Sequence, residues 1–195
     1  MTPAQIRKHM RQQRRSLSGH DRDLYSQQLA HHFSKTRLFR NSRHIACYMA
    51  ADGELDLAPL MQRAWHMGKT VYLPVLNAPH QQSLFFACYK EGDALDLNRY
   101  RIPEPAVPAR ERVTARQLDL VLTPLVAFDG QGNRLGMGAG YYDRTFAFLR
   151  QRHYWIRPRL IGVAYTFQRV EQLHAQPWDV PLHAIVTEHG FCGFP

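Results

Sequence analysis

The chain has 195 residues, 45% of them hydrophobic and 21% charged, the composition of an ordinary globular protein. At this length roughly 70% of the unfolded surface can be buried without a disulfide or metal staple, and no apolar run nears the roughly 18 residues that span a bilayer. Disorder, collagen-like repeats and low complexity are excluded for most of the chain, while a formal charge of +9 points toward anionic partners.

That charge is concentrated. Residues 1–43 carry ten Lys and Arg against only Asp21 and Asp23, and the rest is nearly balanced. Residues 3–16 read as a helix on which Arg7, Arg11, Arg14 and Arg15 share one side. Like charges there repel, so the face either is solvated or meets nucleic acid, a nucleotide or a carboxylate-rich small molecule. No interleaved aromatics, zinc-finger spacing or aromatic RNA-binding pattern accompanies them, and nucleic acid is not the expected partner. The start lacks the apolar stretch and small-residue cleavage site of a secretory signal. Its resemblance to an organellar transit peptide is superficial, because it leads straight into a capped helix.

Ser18 and Asp21 open that second helix, which runs to about residue 35 with Leu24, Leu29 and Phe33 inward. His44–Met49 has strand length and is followed by the turn Ala51-Asp52-Gly53-Glu54. Residues 56–67 return to helical period through Leu57, Leu60, Met61, Ala64 and Trp65, with Gly68 as the stop. Val71–Leu73 and Leu84–Tyr89 read as strands, and 98–116 as a long Pro- and Arg-rich connection. Leu118–Leu122 is a strand, Tyr141–Arg152 a helix, and Leu160–Ala164 and Ala184–Thr187 are strands. The expected fold is α/β: one three-layer domain over 1–195, with a largely parallel central sheet flanked by helices and a basic N-terminal helix to one side. Cys47, Cys88 and Cys192 form no C-x-x-C pair, which fits reduced thiols in a cytoplasmic setting, and apolar neighbours make Cys47 and Cys88 core thiols.

Chemistry gathers at residues 129–144, where Gly136, Gly138 and Gly140 alternate between a strand and a helix. Glycines let backbone N–H groups approach an anion, and a helix start adds donors and a dipole worth about 0.3–1 kcal/mol. Arg134 and Arg144 bracket the loop and can hold phosphate oxygens. The spacing G-x-G-x-G is neither the dinucleotide fingerprint nor the Walker motif; a tight turn without a ligand is the plain alternative. Asp143 and Asp179, one on each of two loops, suit magnesium, which takes few protein carboxylates. Each also suits a structural role, in a first helical turn for Asp143 and an Asx turn for Asp179. Glu54 lies beyond a strand, where ligands gather in α/β sheets and a carboxylate can grip an amide or pterin-like edge; it can equally be an exposed turn residue. The eleven histidines show no ligand spacing, and His31 and His32 read as surface or half-buried residues. No G-x-S-x-G elbow is present.

Several segments then stand in a telling order: the basic start through Arg14-Arg15-Ser16-Leu17-Ser18, Asp52-Gly53-Glu54-Leu55-Asp56, Tyr72-Leu73-Pro74 and Ile102-Pro103-Glu104-Pro105. After them come Thr123-Pro124-Leu125-Val126-Ala127-Phe128-Asp129, running into 134–144, then Ile161-Gly162-Val163-Ala164 and Trp178-Asp179-Val180-Pro181. Together they resemble the 5-formyltetrahydrofolate cyclo-ligase family, also called 5,10-methenyltetrahydrofolate synthetase, over almost the whole chain. The resemblance implies an α/β fold, ATP as co-substrate, Mg²⁺ as cofactor, 5-formyltetrahydrofolate as substrate, and a cytoplasmic monomer. In such enzymes ATP phosphorylates the formyl oxygen, a folate nitrogen attacks the activated carbon, phosphate leaves and the methenyl ring closes. Carried over by position, Arg7, Arg134, Leu135, Gly136, Met137, Gly138, Ala139, Gly140, Tyr141 and Tyr142 bind ATP. Met49, Glu54, Met137, Gly138, Ala139, Gly140 and Tyr141 contact the folate, Asp143 and Asp179 hold the metal, and Arg134 and Tyr142 are catalytic. Two departures stand out: Pro3 and Ala4 occupy the neighbourhood of a family lysine, and Arg101, behind Tyr100, takes the place of an aromatic. The rival readings are a basic nucleic-acid-binding protein and a sugar-phosphate isomerase-like enzyme.

Overall fold

The computed structural model describes residues 1–77, 80–151 and 157–194. Helix α1 spans Pro3–Ser16 and starts on a reciprocal cap: Thr2 Oγ1 accepts the Gln5 N–H and Gln5 Oε1 accepts the Thr2 N–H, with Pro3 in the first turn. Helix α2 (Gly19–Ser34) starts on Ser18, whose hydroxyl accepts the Asp21 N–H at 3.0 Å and donates to its carboxylate at 2.7 Å. Helix α3 (Arg37–Asn41) precedes strand β1 (His44–Ala46), and helix α4 (Ala58–His66) precedes β2 (Thr70–Leu76). Strands β3 (Leu84–Cys88), β4 (Leu95–Leu97), β5 (Pro103–Pro105), β6 (Arg112–Val113), β7 (Leu120–Pro124), β8 (Ala127–Phe128) and β9 (Arg134–Leu135) follow. Helix α5 (Tyr141–Thr145) and strands β10 (Arg159–Val163), β11 (Ala184–Thr187) and β12 (Gly190–Gly193) complete the set.

The main sheet has eight strands in the order β12-β11-β10-β7-β1-β2-β3-β6. Its centre, β11-β10-β7-β1-β2, is parallel, and β12, β3 and β6 add antiparallel edges. Side chains alternate across it. Ile45, Val71, Leu120, Leu122, Ile161 and Val163 pack against Leu29, Phe33, Leu60 and Ala64 of α2 and α4. Ala46, Val121, Leu160 and Ile185 face Phe146 and Leu149 on the other side. This is the expected three-layer α/β architecture. Ile6 and Met10, four residues apart on α1, are buried with Val126 and Ala127, at about 1.5–3 kcal/mol per side chain. They dock the basic helix beside the β8–β9 hairpin.

Several expectations change. Leu24 is exposed, because the inward stripe of α2 runs through Ser26, Leu29, Ala30 and Phe33, and a five-residue offset from Leu29 turns Leu24 away. Cys47 is buried but Cys88 is exposed at the outer end of β3. The connection 98–116 holds β5 and β6, edge strands too short to show a period. The strand expected at 118–122 begins at Leu120 and continues to Pro124, while the one at 44–49 ends at Ala46. The helix expected over 141–152 stops at Thr145, whose hydroxyl is held between Tyr141 O and the Leu84 N–H; a 3-10 turn continues from Ala147 to Gln151, and Arg152 lies outside the described residues.

Candidate functional site

In chain order the parallel sheet grows from β1 to β2 on one side and then to β7 on the other, so β1 and β7 frame a topological switch point, where ligands bind in open α/β sheets. The chain leaving β1 carries Met49, half-buried, and then the tight turn 51–54, in which Glu54 N–H donates to Ala51 O and Glu54 Oε2 accepts the Ala51 N–H. Gly53 adopts φ +75°, and a Cβ there would lie 3.2 Å from Arg14 O; a glycine lets α1 rest on the turn.

The arginine side of α1 faces this turn. Asp52 receives Arg11 Nε at 2.6 Å, Arg15 at 2.6 Å and Arg14 Nη2 at 3.3 Å, and Arg14 Nη1 lies 3.5 Å from Glu54 Oε1. Much of the anionic partner expected for these cations is therefore intramolecular. Asp52 stays below the ordinary carboxylate range, since the arginines outweigh its desolvation. Glu54 is raised, because burial outweighs the Ala51 N–H and Arg14.

Asp129, fully buried, organises the glycine loop: its carboxylate accepts the N–H groups of Gln131, Asn133 and Leu173 and the Asn133 amide. Strands β8 and β9 form the hairpin above it. Arg7 Nε donates to Gly136 O at 2.8 Å, tying α1 to the loop. Gly138 sits at φ +101°, a backbone that L side chains rarely adopt, and Met137 and Ala139 beside it are exposed. Leu135 and Gly136 are half-buried and lead into this apex.

At the start of the loop Arg134 is drawn inward, its side chain 6% exposed, donating to Val180 O and, at 2.5 Å, to Asp143 Oδ1. Arg144 turns to Gln82 O and Ala139 O. Asp179 accepts the Gln176 N–H on Oδ2 while its own N–H donates to Gln176 O; the side chain reaches three residues back, not two residues on as in the expected Asx turn. Tyr142 is half-buried and stacks on Phe146; burial first, then Glu54, hold its phenol above the ordinary value, against Arg134. Tyr141 shares a hydrogen bond with Tyr100 at 3.2 Å and accepts one from Arg99. Tyr100 thus brings an aromatic ring to the loop one position from the expected place, at a bend where Arg101 adopts φ +60°.

Asp143 and Asp179 both act electrostatically on buried Arg134. Among the described residues, the hydrogen bonds to Asp143 fall on Oδ1 and those to Asp179 on Oδ2. Each thus has one carboxylate oxygen outside these hydrogen bonds, a hard donor of the kind magnesium takes, with few protein carboxylates, in its shell. The residues that sequence reasoning left out are Asp52, Arg14, Asp129 and Arg99. The signal for Asp52 was available: an acid in a tight turn, after a helix with four arginines on one side.

Comparison with known proteins identifies the family. The family model described as the 5-formyltetrahydrofolate cyclo-ligase family matches residues 2–188. A 5-formyltetrahydrofolate cyclo-ligase of Escherichia coli (strain K12) is 40% identical over 178 residues, covering 91% of this chain and 96% of that protein. One from Haemophilus influenzae is 36% identical, covering 94% and 96%. The solution structure of Aquifex aeolicus 5,10-methenyltetrahydrofolate synthetase superposes with a TM-score of 0.82 at 30% identity, covering 99% of this chain and 93% of that one. With residues 2–188 matched by the family model and relatives 36–40% identical over more than nine tenths of the chain, the chain belongs to the 5-formyltetrahydrofolate cyclo-ligase family.

Proposed function

We propose that this protein closes the ring of 5-formyltetrahydrofolate to 5,10-methenyltetrahydrofolate at the expense of ATP, with Mg²⁺, and that residues 1–195 act as one cytoplasmic, monomeric catalytic unit. The observation that carries this reading is a glycine loop held by Arg7 with the half-buried carboxylate of Glu54 electrostatically coupled to Tyr142 at the loop's end. The loop 134–142 suits phosphates, and Glu54 with Met49 suits the donor edge of a pterin. Three free thiols support the reducing compartment. Among the described residues no helix is long and apolar enough to cross a membrane.

In this reading the γ-phosphoryl group passes to the formyl oxygen, the P–O bond to ADP breaks, and the neighbouring folate nitrogen attacks the activated carbon. Phosphate leaves with the former formyl oxygen as the ring closes. Bound magnesium neutralises phosphate charge, and Asp143 and Asp179 would hold it. Transfer of this kind needs positioning and charge neutralisation more than a protein nucleophile. Arg7 and the loop amides orient the phosphates. Arg134 aligns Asp143, and Tyr142, kept protonated by burial, donates a hydrogen bond to oxygen as charge develops on it. The test is purified protein with 5-formyltetrahydrofolate, Mg²⁺ and ATP, followed by methenyltetrahydrofolate absorbance. Product forms only in the complete mixture; product without ATP would overturn the reading.

A further inference from the structure

Helix α1 is fastened at two places that belong to different halves of the proposed site. Near its start Arg7 holds the carbonyl of Gly136 in the glycine loop. One to two turns later Arg11, Arg14 and Arg15 close on Asp52, next to Glu54. Seven residues of helix separate Arg7 from Arg14, about 10 Å along the axis. On the same helix Ile6, just before Arg7, and Met10, just before Arg11, are buried in the body of the protein. A helix held in this way moves as a rod, so a shift at one end is felt at the other.

The Asp52 end is also incompletely bonded. Arg14 has a side chain 1% exposed, yet its Nε and Nη1 are buried without a hydrogen-bond partner among the described residues. The Nη1 atom lies 3.5 Å from Glu54 Oε1, an ion pair longer than an ordinary charged hydrogen bond. A buried guanidinium with donors to spare gains on closing that gap, because unmade buried hydrogen bonds are costly. Asp52, which gathers three arginines on its two oxygens, sets where Arg14 stands relative to Glu54.

We propose that Asp52 is a positioning residue that couples the two substrates: folate at Glu54 draws Arg14, and α1 with it, toward Glu54, and Arg7 thereby firms the glycine loop for the nucleotide. The inference rests on the functional reading above, in which the loop takes ATP and Glu54 the folate. By linkage the effect is reciprocal, and each ligand tightens the other by the same factor. A purely structural Asp52 would weaken both ligands and leave that factor unchanged.

The test measures binding of the Mg²⁺ complex of the β,γ-imido analogue of ATP to the full chain by calorimetry, with and without saturating 5-formyltetrahydrofolate. The expected wild-type factor is about 5-fold or more, the lower range of allosteric couplings. Asp52→Asn brings it to within about twofold of one, and Asp52→Glu recovers part of it. Should Asp52→Asn fail to give a native circular-dichroism spectrum, Arg11→Gln and Arg15→Gln each remove one partner of Asp52 from a more exposed position, and a reduced factor in both supports the proposal. A wild type that binds both ligands independently overturns it, as does a folded Asp52→Asn with the wild-type factor. A wild type that binds neither ligand overturns the functional reading, and the coupling falls with it.

Discussion

Glu54 lies in a place that disfavours ionisation, and its neighbours only partly compensate. Burial raises its carboxyl while Ala51 N–H and Arg14 pull the other way. A raised folded value means a contribution to stability that is full below the unfolded value and lost as pH rises through the folded one. At a pH above the folded value the charge is therefore a burden on the fold. Glu54→Gln should raise the Tm at that pH, while folate KM increases at least tenfold; an unchanged KM would remove Glu54 from the site. Tyr142 stands on the opposite side of the argument. Its phenol is held protonated by burial, so it acts as a donor, not a base. Tyr142→Phe should lower kcat about tenfold, the worth of one hydrogen bond of about 1.4 kcal/mol, and the wild-type rate should show no limb from a phenol between pH 6 and 9. Arg134 pairs with Asp143 at 2.5 Å, and in the proposed site it would act on the metal through that carboxylate. Arg134→Ala should cut turnover by on the order of 100-fold and raise the Mg²⁺ concentration for half-maximal rate, and Asp143→Asn should raise that concentration too. Metal titrations of the two variants check both.

At the scale of elements, the glycine loop and α1 account for the site. Helix α5 has five residues, so the dipole expected of a three-turn helix is that of little more than one turn, and in the proposed function the loop amides and arginines would carry the anion instead. Gly138 shows this dependence on backbone shape. A Cβ there meets only Arg7 at 3.6 Å, an ordinary contact, so the burden of Gly138→Ala is its φ of +101°. That conformation costs an L residue about 1–2 kcal/mol, which the exposed loop relieves by changing shape. ATP KM should rise several-fold with the Tm nearly unchanged; a large fall in Tm with KM intact would make the glycine structural. The residue pattern identified the loop because alternating glycines are a local signal. It overestimated the following helix because Thr145 ends it through a contact to Leu84, 61 residues away. The β8–β9 hairpin and the edge strands β5 and β6 have two or three residues each, too few for any periodicity to register.

For the whole molecule, three aspartates fix how acid is tolerated. Asp129 binds the glycine loop together, Asp119 holds the Arg43 and His44 N–H groups and Arg157, and Asp52 holds α1. For each, desolvation is outweighed by these partners and the folded carboxyl lies below the ordinary value. Stability from such groups is present above the unfolded value of about 3.9 and is lost as pH falls through the folded one. Thermal unfolding should therefore show a fall in Tm below about pH 4. Asp129→Asn should remove about 1–3 kcal/mol at pH 7, because an amide cannot accept from four donors as a carboxylate does. A variant that unfolds at the wild-type temperature would show the loop to be held by other means.

The alternation of strands and helices, the capped start of α2, the basic helix, the glycine loop and the family are legible along the chain, because they are written in neighbouring residues and short spacings. What the charges do came from the packing of distant segments. Arg11, Arg14 and Arg15 meet an aspartate about forty residues away, Arg134 turns inward to Asp143 and Val180, and Leu24 faces solvent. A charge in sequence has no direction. Its partner is chosen by the packing of Ile6 and Met10, by the register of the sheet and by a glycine that lets α1 lie close to the turn at Asp52.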